Sequence, residues 1–195
     1  MKNVSLLLLS SILAGCASQP TVKSWMDPVS SATITAQNEP LVLARDDENR
    51  PIEERDYAQL AAIEVNRMGD RRLYLVAVLW STINRTGAER DKFENAFSRI
   101  EVQMGERSVV LARHAGEIAE LGVGQSQLPL PIPGSKQIYF PIERADLRAL
   151  ASSSHVKLVT QGQPEAAQRY EEWQDGRRSL SDFLSQLPGE PAALP

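Results

Sequence analysis

The sequence contains few of the residues from which disulfide frameworks, metal centres and nucleophilic sites are usually built. Its 195 residues include one cysteine, Cys16, and two histidines, His114 and His155, which lie 41 residues apart. One cysteine cannot form a disulfide within the chain, and a catalytic zinc ion is usually held by three protein ligands, often histidines. We therefore predict a fold that depends on an ordinary hydrophobic core, and we expect no metal site.

Nucleotide-binding and nucleophile motifs are missing as well. The glycines Gly116, Gly122 and Gly124 fit neither the dinucleotide-binding pattern nor the P-loop, and there is no G-x-S-x-G elbow. A serine run, Ser152–Ser154, precedes His155, but serines after a helical stretch are typical of a loop, and the alternation that follows places His155 at the start of a strand. We predict no cofactor and no catalytic residue.

Three acidic clusters could serve acid–base chemistry if they were buried. They are Asp46–Glu48, Glu53–Glu54 and Glu171–Glu172. Each lies among arginine, asparagine or proline in a turn-like stretch, which favours a solvated loop. The first cluster also gathers hard oxygen ligands, but it lacks the spacing and the glycine of a calcium-binding EF-hand loop.

The charge balance is mildly acidic and has no basic run. Lysine and arginine together number 21, and aspartate and glutamate together number 25. Nucleic-acid-binding surfaces usually concentrate positive charge on one face, and a polybasic membrane clamp needs several adjacent lysines or arginines. We therefore expect no nucleic-acid partner.

A long apolar run of the kind that crosses a membrane is also lacking. The apolar stretch at the start of the chain, Val4–Leu13, has ten residues, whereas a bilayer core takes about 20 helical residues. Ten residues suit the hydrophobic region of a secretory signal. Lys2 supplies the positive charge before this region, and the small residues Ala14 and Gly15 follow it.

The sequence Leu13-Ala14-Gly15-Cys16 resembles the lipobox of bacterial lipoproteins. The resemblance implies that residues 1–15 are removed, that the Cys16 thiol carries diacylglycerol and that the new amino group is usually acylated. Two or three acyl chains anchor a protein stably, whereas one holds it only marginally. By the same resemblance, Ala17 favours the outer membrane facing the periplasm, and the inner membrane is the less favoured location.

The mature chain divides into three parts. Residues 16–31 are small, polar and interrupted by proline, which predicts a lipidated N-terminus followed by a tether. Trp25 and Met26 break that composition, so we expect the tether to dock on the domain partway along. Residues 32–187 predict a single β-rich periplasmic domain, and residues 188–195 predict a proline-rich tail.

Alternation with a period of two dominates the domain. Residues 100–104 and 108–112 alternate around a turn at 105–106, which predicts a hairpin. The stretch 72–83 is apolar on both parities, which indicates a central strand covered on both faces, with a helix as its main rival. Further strands are predicted over residues 32–36, 41–45, 61–67, 137–142 and 155–160, and helices over residues 89–96, 143–152 and 179–187.

These elements predict a mainly β domain, either an antiparallel β-sandwich or an open barrel of about eight strands with two or three short helices. Pro141 cannot donate to a strand ladder, so its strand should lie at an edge or end there. The helix over 179–187 begins with a serine three residues before Asp182, which is typical of a capped N-terminus. We expect Trp80 to lie in the core.

Aromatic and proline residues supply the candidate contacts for a partner. Core packing is the first expectation for a tryptophan, but exposed ones often mark a contact surface. Proline at every second position favours an extended run that a partner could grip, although an ordinary loop draped over the sheet is the main alternative. The candidate contact residues are Trp25, Trp173, Pro129, Pro131 and Pro133.

Taken together, the sequence predicts a membrane-anchored lipoprotein whose domain is a non-enzymatic binding or assembly module. Its expected partners are the membrane, through the lipid on Cys16, and an envelope protein or polymer. One alternative is an envelope hydrolase or metal-dependent enzyme, which would require a polar pocket that joins His114 or His155 to two acids. A second alternative is an accessory subunit of a transport or secretion complex.

Overall fold

The computed structural model describes residues 20–45, 54–124, 126, 128–163 and 167–189. The predicted signal peptide, Cys16, the acidic cluster Asp46–Glu48 and most of the predicted tail lie outside the described residues.

The regular secondary structure of the described residues consists of ten strands, three α-helices and one 3₁₀ turn. They are β1 Val22–Met26, β2 Thr33–Gln37, β3 Leu41–Arg45, β4 Asp56–Arg67, β5 Asp70–Ser81, α1 Gly87–Ala96, β6 Arg99–Met104, β7 Arg107–Ala112, the 3₁₀ turn Ile118–Leu121, β8 Lys136–Pro141, α2 Arg144–Ser152, β9 Val156–Thr160, β10 Arg169–Gln174 and α3 Arg177–Gln186.

All ten strands belong to one sheet in which every neighbouring pair is antiparallel. The order is β1-β2-β4-β3-β10-β9-β6-β7, and β5 pairs with β4 on one side and with β8 on the other. The sheet curls into a half-barrel. The mainly β prediction is confirmed, and the architecture corresponds to its open-barrel form. The strand of Pro141 is an edge strand and ends at this residue, as expected.

The β4–β5 hairpin forms the centre of the sheet. Its strands pair over twelve residue positions, and a two-residue turn joins them. In this turn Met68 and Gly69 have φ values of 53° and 98°, because a tight hairpin turn needs left-handed backbone to match the twist of its strands. β5 is buried on both parities from Tyr74 to Leu79, which confirms the predicted central strand.

Two hydrophobic clusters cover the two faces of this hairpin. On the concave face, the interior cluster joins the strands to the apolar sides of the helices, including Phe97, Leu147 and Phe183. On the convex face, the outer cluster includes Ile63 and Val76 of the hairpin and three residues of the β7–β8 connection, Leu121, Val123 and Leu128. The connection therefore acts as a cover for the convex face.

The buried carboxylate of Asp27 fixes this cover. Its Oδ2 accepts a hydrogen bond of 2.8 Å from the amide of Gly124, and its Oδ1 accepts bonds from the amides of Val29 and Ser30. The Ser30 hydroxyl donates in turn to the carbonyl of Gly122. The β1–β2 turn and the connection are thus joined by hydrogen bonds to one buried side chain.

Two strands were not predicted, and one of them lies within the predicted tether over residues 16–31. Val22–Met26 pairs with β2 as strand β1, so the chain docks on the domain at Trp25 and Met26, as expected, but as a strand of the sheet. This segment is short and mostly exposed, and its apolar residues Val22, Trp25 and Met26 do not alternate with polar ones, so no strand pattern is visible in the sequence. β10 was missed for a similar reason, because half of its sequence Arg-Tyr-Glu-Glu-Trp-Gln is charged and its apolar residues do not alternate.

The start of α3 also differs from the prediction. The helix begins at Arg177, after Gly176, and Ser179 does not cap it. Instead, the Ser179 hydroxyl donates to the carbonyl of Thr21 and accepts from the amide of Glu39. Gly176 is required here because a Cβ atom at this position would lie 2.4 Å from the carbonyl carbon of Pro40.

Asp182 and Asn38 complete an N-terminal clamp, which we define as Thr21, Asn38, Ser179 and Asp182. The Thr21 hydroxyl donates to Asp182 over 2.9 Å, and the Thr21 carbonyl accepts from the Asn38 amide over 2.8 Å. The Asn38 side chain also donates to the carbonyl of Pro20. The clamp holds the first described residues between α3 and the β2–β3 turn.

Candidate functional site

Three aromatic side chains form a row on the convex face of the sheet. The rings of Tyr57 and Trp80 are stacked, with centroids 3.9 Å apart and an angle of 8° between their planes. Trp173 meets the other side of Tyr57 edge-on, with centroids 6.3 Å apart. We call Tyr57, Trp80 and Trp173 the aromatic row. Such geometries are favourable beyond the area that they bury.

Strand register explains the stacked pair. Tyr57 and Trp80 are direct partners in the β4–β5 ladder, and partners in a ladder point their side chains to the same face. Val42 and Ala44 of β3 lie beside Tyr57 in the same small cluster. Trp80 is therefore partly buried on the convex face, and the expectation that it lies in the core is wrong.

A β-bulge places Trp173 at the end of the row. The register of β10 against β3 shifts between Glu172 and Gln174, so Trp173 has no partner in this ladder. Bulges redirect a side chain and are common near functional sites. The Trp173 side chain is 60% exposed, and the guanidinium of Arg55 lies 4.7 Å from its ring centroid.

The proline-containing stretch continues the apolar surface beyond Trp80. Leu128 is buried in the outer cluster, and the Gln59 side chain donates to the carbonyl of Pro129 over 3.0 Å. After this point Leu130 and Ile132 are exposed, as are Pro129, Pro131 and Pro133. The stretch thus begins as a loop draped over the sheet and ends as an exposed apolar segment.

A shallow cleft of about 330 Å³ connects this segment to the row. Trp80, Ile132 and Pro133 line it together with Arg85 and Phe93. The structure therefore links the predicted contacts Trp173 and Pro133 through Tyr57, which is buried, and Trp80, which is partly buried, and neither of these two was predicted as a contact.

Trp25, the remaining predicted contact, lies outside this surface. It is opposite Ile34 in the β1–β2 ladder and packs, partly buried, against the outer cluster. Its indole Nε1 is buried and has no hydrogen-bond partner among the described residues. The strands β2 and β4 separate it from β5 and Trp80.

A buried ion pair lies at the start of β4, next to Tyr57 in sequence but on the opposite face of the strand. The carboxylate of Asp56 accepts two bonds from Arg85, of 2.5 and 3.0 Å, and one of 3.4 Å from Arg45. The Arg85 guanidinium also lies 4.8 Å from the ring centroid of Phe93. The sequence did not reveal this arrangement, because Asp56 and Arg85 lie 29 positions apart and neither belongs to a recognisable motif.

His155 meets the acidic pair Glu171–Glu172 at the surface. Its Nε2 lies 3.1 Å from Glu171, and its Nδ1 lies 3.9 Å from Glu172. Both acids have stronger partners, because Lys157 lies 3.0 Å from Glu171 and Arg177 lies 2.7 Å from Glu172. The imidazole is 49% exposed. This is a solvated network of ion pairs.

The pKa of Glu171 follows from the same network. Burial alone would raise this pKa, but hydrogen bonds from Lys157 and His155, together with their charges, lower it below its ordinary value. The carboxylate is therefore held in its ionised form, which suits an ion pair and not a proton donor.

His114 lies in a different place, at an open cleft of about 630 Å³ beside β7. Its ring meets Tyr74 edge-on with centroids 6.4 Å apart, and its buried Nε2 has no hydrogen-bond partner among the described residues. Glu143 and Asp146 line the same cleft, and Asp146 is already paired with Arg107. No nucleophile–histidine–acid geometry is formed by these described residues.

Among the described residues, no group of three or more histidine, cysteine, aspartate or glutamate side chains could hold a metal ion. None of the described helices combines the length and the apolar character needed to cross a membrane.

We find no family model, no curated protein and no solved structure that matches this chain.

Proposed function

We propose that this chain is a non-enzymatic binding or assembly module of the bacterial envelope. A lipid on Cys16 would hold it at the outer membrane, facing the periplasm, and the aromatic row would contact an envelope protein or polymer. The proposal combines the lipobox resemblance with the convex surface that carries Trp173.

The exposure of Trp173 is the observation that carries the proposal. A tryptophan that is 60% exposed, redirected by a bulge and buttressed by Tyr57 is an uncommon use of the largest apolar side chain. Binding hot spots are enriched in tryptophan, tyrosine and arginine, and Arg55 lies over this ring.

The apolar segment Leu130–Pro133 enlarges the same surface. Contiguous exposed apolar area on a small protein is typically functional, and a segment with alternate prolines loses little conformational entropy when a partner binds it. The surface therefore combines a rigid aromatic end with a proline-containing end.

The enzyme alternative has weaker support from the described residues. His155 does contact two acids, but the imidazole is half exposed and both carboxylates are in ion pairs with Lys157 and Arg177. His114 lines an open cleft with Glu143 and Asp146, but Asp146 is paired with Arg107 and the Nε2 of His114 bonds to neither acid.

The N-terminal clamp supports a defined orientation for an anchored chain. Thr21, the first residue of the clamp, lies five positions after Cys16, so a lipid on Cys16 would lie within about 18 Å of the clamp at about 3.5 Å per residue. This is far shorter than the reach of a tether over residues 16–31. The clamp face would then lie close to the membrane.

Substitution of Cys16 tests the anchor. We expect Cys16→Ser to leave an uncleaved precursor without lipid, because the serine hydroxyl cannot replace the thiol in thioether formation. Metabolic labelling with a palmitate analogue should mark the wild type and not the variant. Label that persists in the variant would refute the anchor, and so would a wild-type protein found in the cytosol with its first methionine.

Substitution of Trp173 tests the contact surface. We expect Trp173→Ala to weaken binding to the partner by about tenfold or more, because truncation of a hot-spot residue costs about 2 kcal/mol. The partner would be recovered with the lipidated protein from native membranes and identified by photo-crosslinking from position 173. Met68→Ala, at the fully exposed tip of the central hairpin, is the matched control and should bind like the wild type.

Two outcomes would contradict the proposed surface. One is equal recovery of the partner with Trp173→Ala and the wild type. The other is a crosslink from Glu106, an exposed residue in the β6–β7 turn, to the same partner with the same efficiency. Thermal unfolding of each variant would show that a loss of binding does not arise from a loss of fold.

A further inference from the structure

Exposed apolar side chains gather at the end of the sheet that carries the β4–β5 turn. Eight large apolar side chains are exposed among the described residues, and four of them lie here, namely Met26 at 68%, Val29 at 72%, Met68 at 107% and Ile118 at 38%. They belong to three segments, residues 26–32, 67–70 and 117–121, which we call the tip face. We first establish that the three segments form one surface.

Strand register places the first segment beside the second. Met26 is opposite Thr33 in the β1–β2 ladder, and Thr33 is opposite Asn66 in the β2–β4 ladder. Asn66 lies two positions before Met68, so the β1–β2 turn and the β4–β5 turn end at the same edge of the sheet.

The third segment is attached to both of the others. The Ser30 hydroxyl donates to the carbonyl of Gly122, directly after the 3₁₀ turn. A Cβ atom on Gly122 would lie 3.0 Å from the Cδ of Arg67, and Glu120 and Leu121 line a small cavity of about 130 Å³ together with Arg67. The tip face is therefore one surface on loops that are packed together.

The backbone of the tip face is strained in a way that the fold does not require. Ser31 and Met68 are the two residues other than glycine with positive φ among the described residues, at 57° and 53°. Asparagine or glycine is usual at the position of Met68 in a tight hairpin turn, because a larger side chain is unfavourable in left-handed backbone. The Met68 side chain is fully exposed, so packing within the chain does not offset this strain, and a contact outside the chain would account for it.

Charge on the tip face and at the adjoining start of β5 is balanced. Arg71 is paired with Glu64, and Arg72 with Asp70. The exposed charged side chains are three arginines and three acids, namely Arg67, Asp70, Arg71, Arg72, Glu117 and Glu120. A contact made by this face therefore depends on its apolar side chains and not on attraction to a charged partner.

We propose that the tip face inserts its apolar side chains into the phospholipid surface that holds the lipid of Cys16. The inference rests on the proposed function, because the anchor brings this surface to the chain. β1 leads from Thr21 of the clamp to Met26 over about 17 Å, at about 3.3–3.4 Å per residue. The chain from Cys16 to Thr21 can span about 18 Å, so the anchor can lie level with the tip face.

The composition of the tip face suits a fluid surface better than a shaped one. Methionine, valine and isoleucine offer apolar area without hydrogen-bonding groups, and methionine adapts to irregular surroundings. The aromatic row lies at the other end of the central hairpin, since Tyr57 is eleven positions before Met68, about 35 Å along an extended strand. A chain that meets the membrane with the tip face would present Trp173 to the periplasm, and Met68→Ala remains a control for binding at the aromatic row.

Fluorescence quenching on the full, lipidated chain in phosphatidylcholine vesicles tests the contact. Because the lipid occupies the thiol of Cys16, a cysteine introduced at Val29, Met68 or Ala88 is the one free thiol and takes a fluorescent dye. Phospholipids with a nitroxide at the start of the acyl chain should quench dyes at positions 29 and 68 by about half, because side chains of this kind reach about 5–10 Å into the headgroup and acyl boundary. Ala88, exposed in α1 beyond the far end of β5, is the matched control and should lose less than about a tenth of its emission.

The outcomes separate this contact from the anchor. Protein that floats with the vesicles but is not quenched at positions 29 and 68, or is quenched equally at position 88, would overturn the proposal. Quenching of a dye at Leu130 in place of these positions would put the end that carries the aromatic row on the membrane and overturn it too. Energy transfer between dyes at position 68 of separate chains, without nitroxide quenching, would identify a second copy as the occupant. Protein that does not float at all would refute the anchor, and with it this contact.

Polar variants separate membrane contact from a structural role. Met68→Asn should raise the urea midpoint of unfolding, because asparagine adopts left-handed backbone more readily than methionine. Combined with Val29→Thr, it should weaken the quenching of a dye on Ile118→Cys at least twofold, whereas Val110→Thr, on an exposed apolar residue outside the tip face, should leave that quenching unchanged. A lower midpoint for Met68→Asn, or undiminished quenching of the combined variant, would show that these side chains do not serve the membrane and would overturn the proposal.

Discussion

The hairpins β4–β5 and β6–β7 are built by the same local device and differ in what covers them. Each uses a two-residue turn with a glycine at positive φ, Gly69 at 98° and Gly105 at 64°. The first pairs twelve positions and is covered on both faces, whereas the second pairs six and leaves one face and one edge of β7 exposed. The two hairpins therefore differ in how much of each is buried by other parts of the chain, and not in the kind of turn that joins their strands.

The comparison teaches where the molecule can accept a partner. Between its two ends, the central hairpin contributes residues to the interior cluster and the outer cluster at once, so any contact there would have to displace packed side chains. The peripheral hairpin exposes Val110 in the middle of β7. Rigid support and open surface thus lie in different hairpins of one sheet.

The largest expected effect concerns the two ends of the central hairpin. Asp56→Asn should lower the free energy of unfolding by about 3–5 kcal/mol, because it leaves the Arg85 guanidinium, 12% exposed, without its buried counter-charge. Asp70→Asn, at the exposed end, removes a solvated pair with Arg72 and should cost less than about 1 kcal/mol. Urea unfolding measures both. Equal losses in the free energy of unfolding would show that the buried Asp56 pair stabilises the fold no more than the exposed Asp70 pair.

A matched pair of truncations compares the hairpins directly. Leu75→Ala on β5, where the side chain is 1% exposed, should lower the free energy of unfolding by about 3 kcal/mol through lost burial and a cavity. Val110→Ala on β7, where the side chain is 47% exposed, should change it by less than about 0.5 kcal/mol. Chemical denaturation again provides the measurement, and a large effect of Val110→Ala would show that β7 is covered in solution.

The smallest expected effect is a pH dependence in the peripheral half of the sheet. The pKa of Glu171 is lowered from its ordinary value of 4.5, so its ion pairs stabilise the folded state above that value. This stabilisation is lost as the pH falls through the lower, folded-state pKa. The wild type should therefore lose more stability between pH 7 and pH 3 than Glu171→Gln. If the free energy of unfolding of the two proteins falls in parallel with pH, the ion pairs of Glu171 do not stabilise the folded state.

The central part of the fold could be predicted because its signals are local. The apolar stretch of β5 and the alternation of β6 and β7 follow directly from burial on two faces or on one. Pro141 fixed the end of β8 through the chemistry of its missing N–H. β1 and β10 escaped prediction because β1 is largely exposed and β10 buries mainly Tyr170, so the sheet and not the local sequence determines them.

The candidate surface was only half predictable. Trp173 and Pro133 stood out by residue type, but their connection runs through Tyr57 and Trp80, which depends on the register of β4 against β5. The bulge at Trp173 depends on the pairing of β10 with β3, strands more than a hundred residues apart. Long-range pairing of this kind leaves no trace in the spacing of the sequence.

The N-terminal clamp has a mechanical consequence for a chain anchored at Cys16. Tension on the lipid would reach Thr21 first and would then act along β1, whose five ladder positions with β2 would resist sliding together. Rupture would require these bonds to break at the same time and not one after another. A chain held in this way can bear a pull between membrane and partner without its sheet being peeled apart from the anchored end.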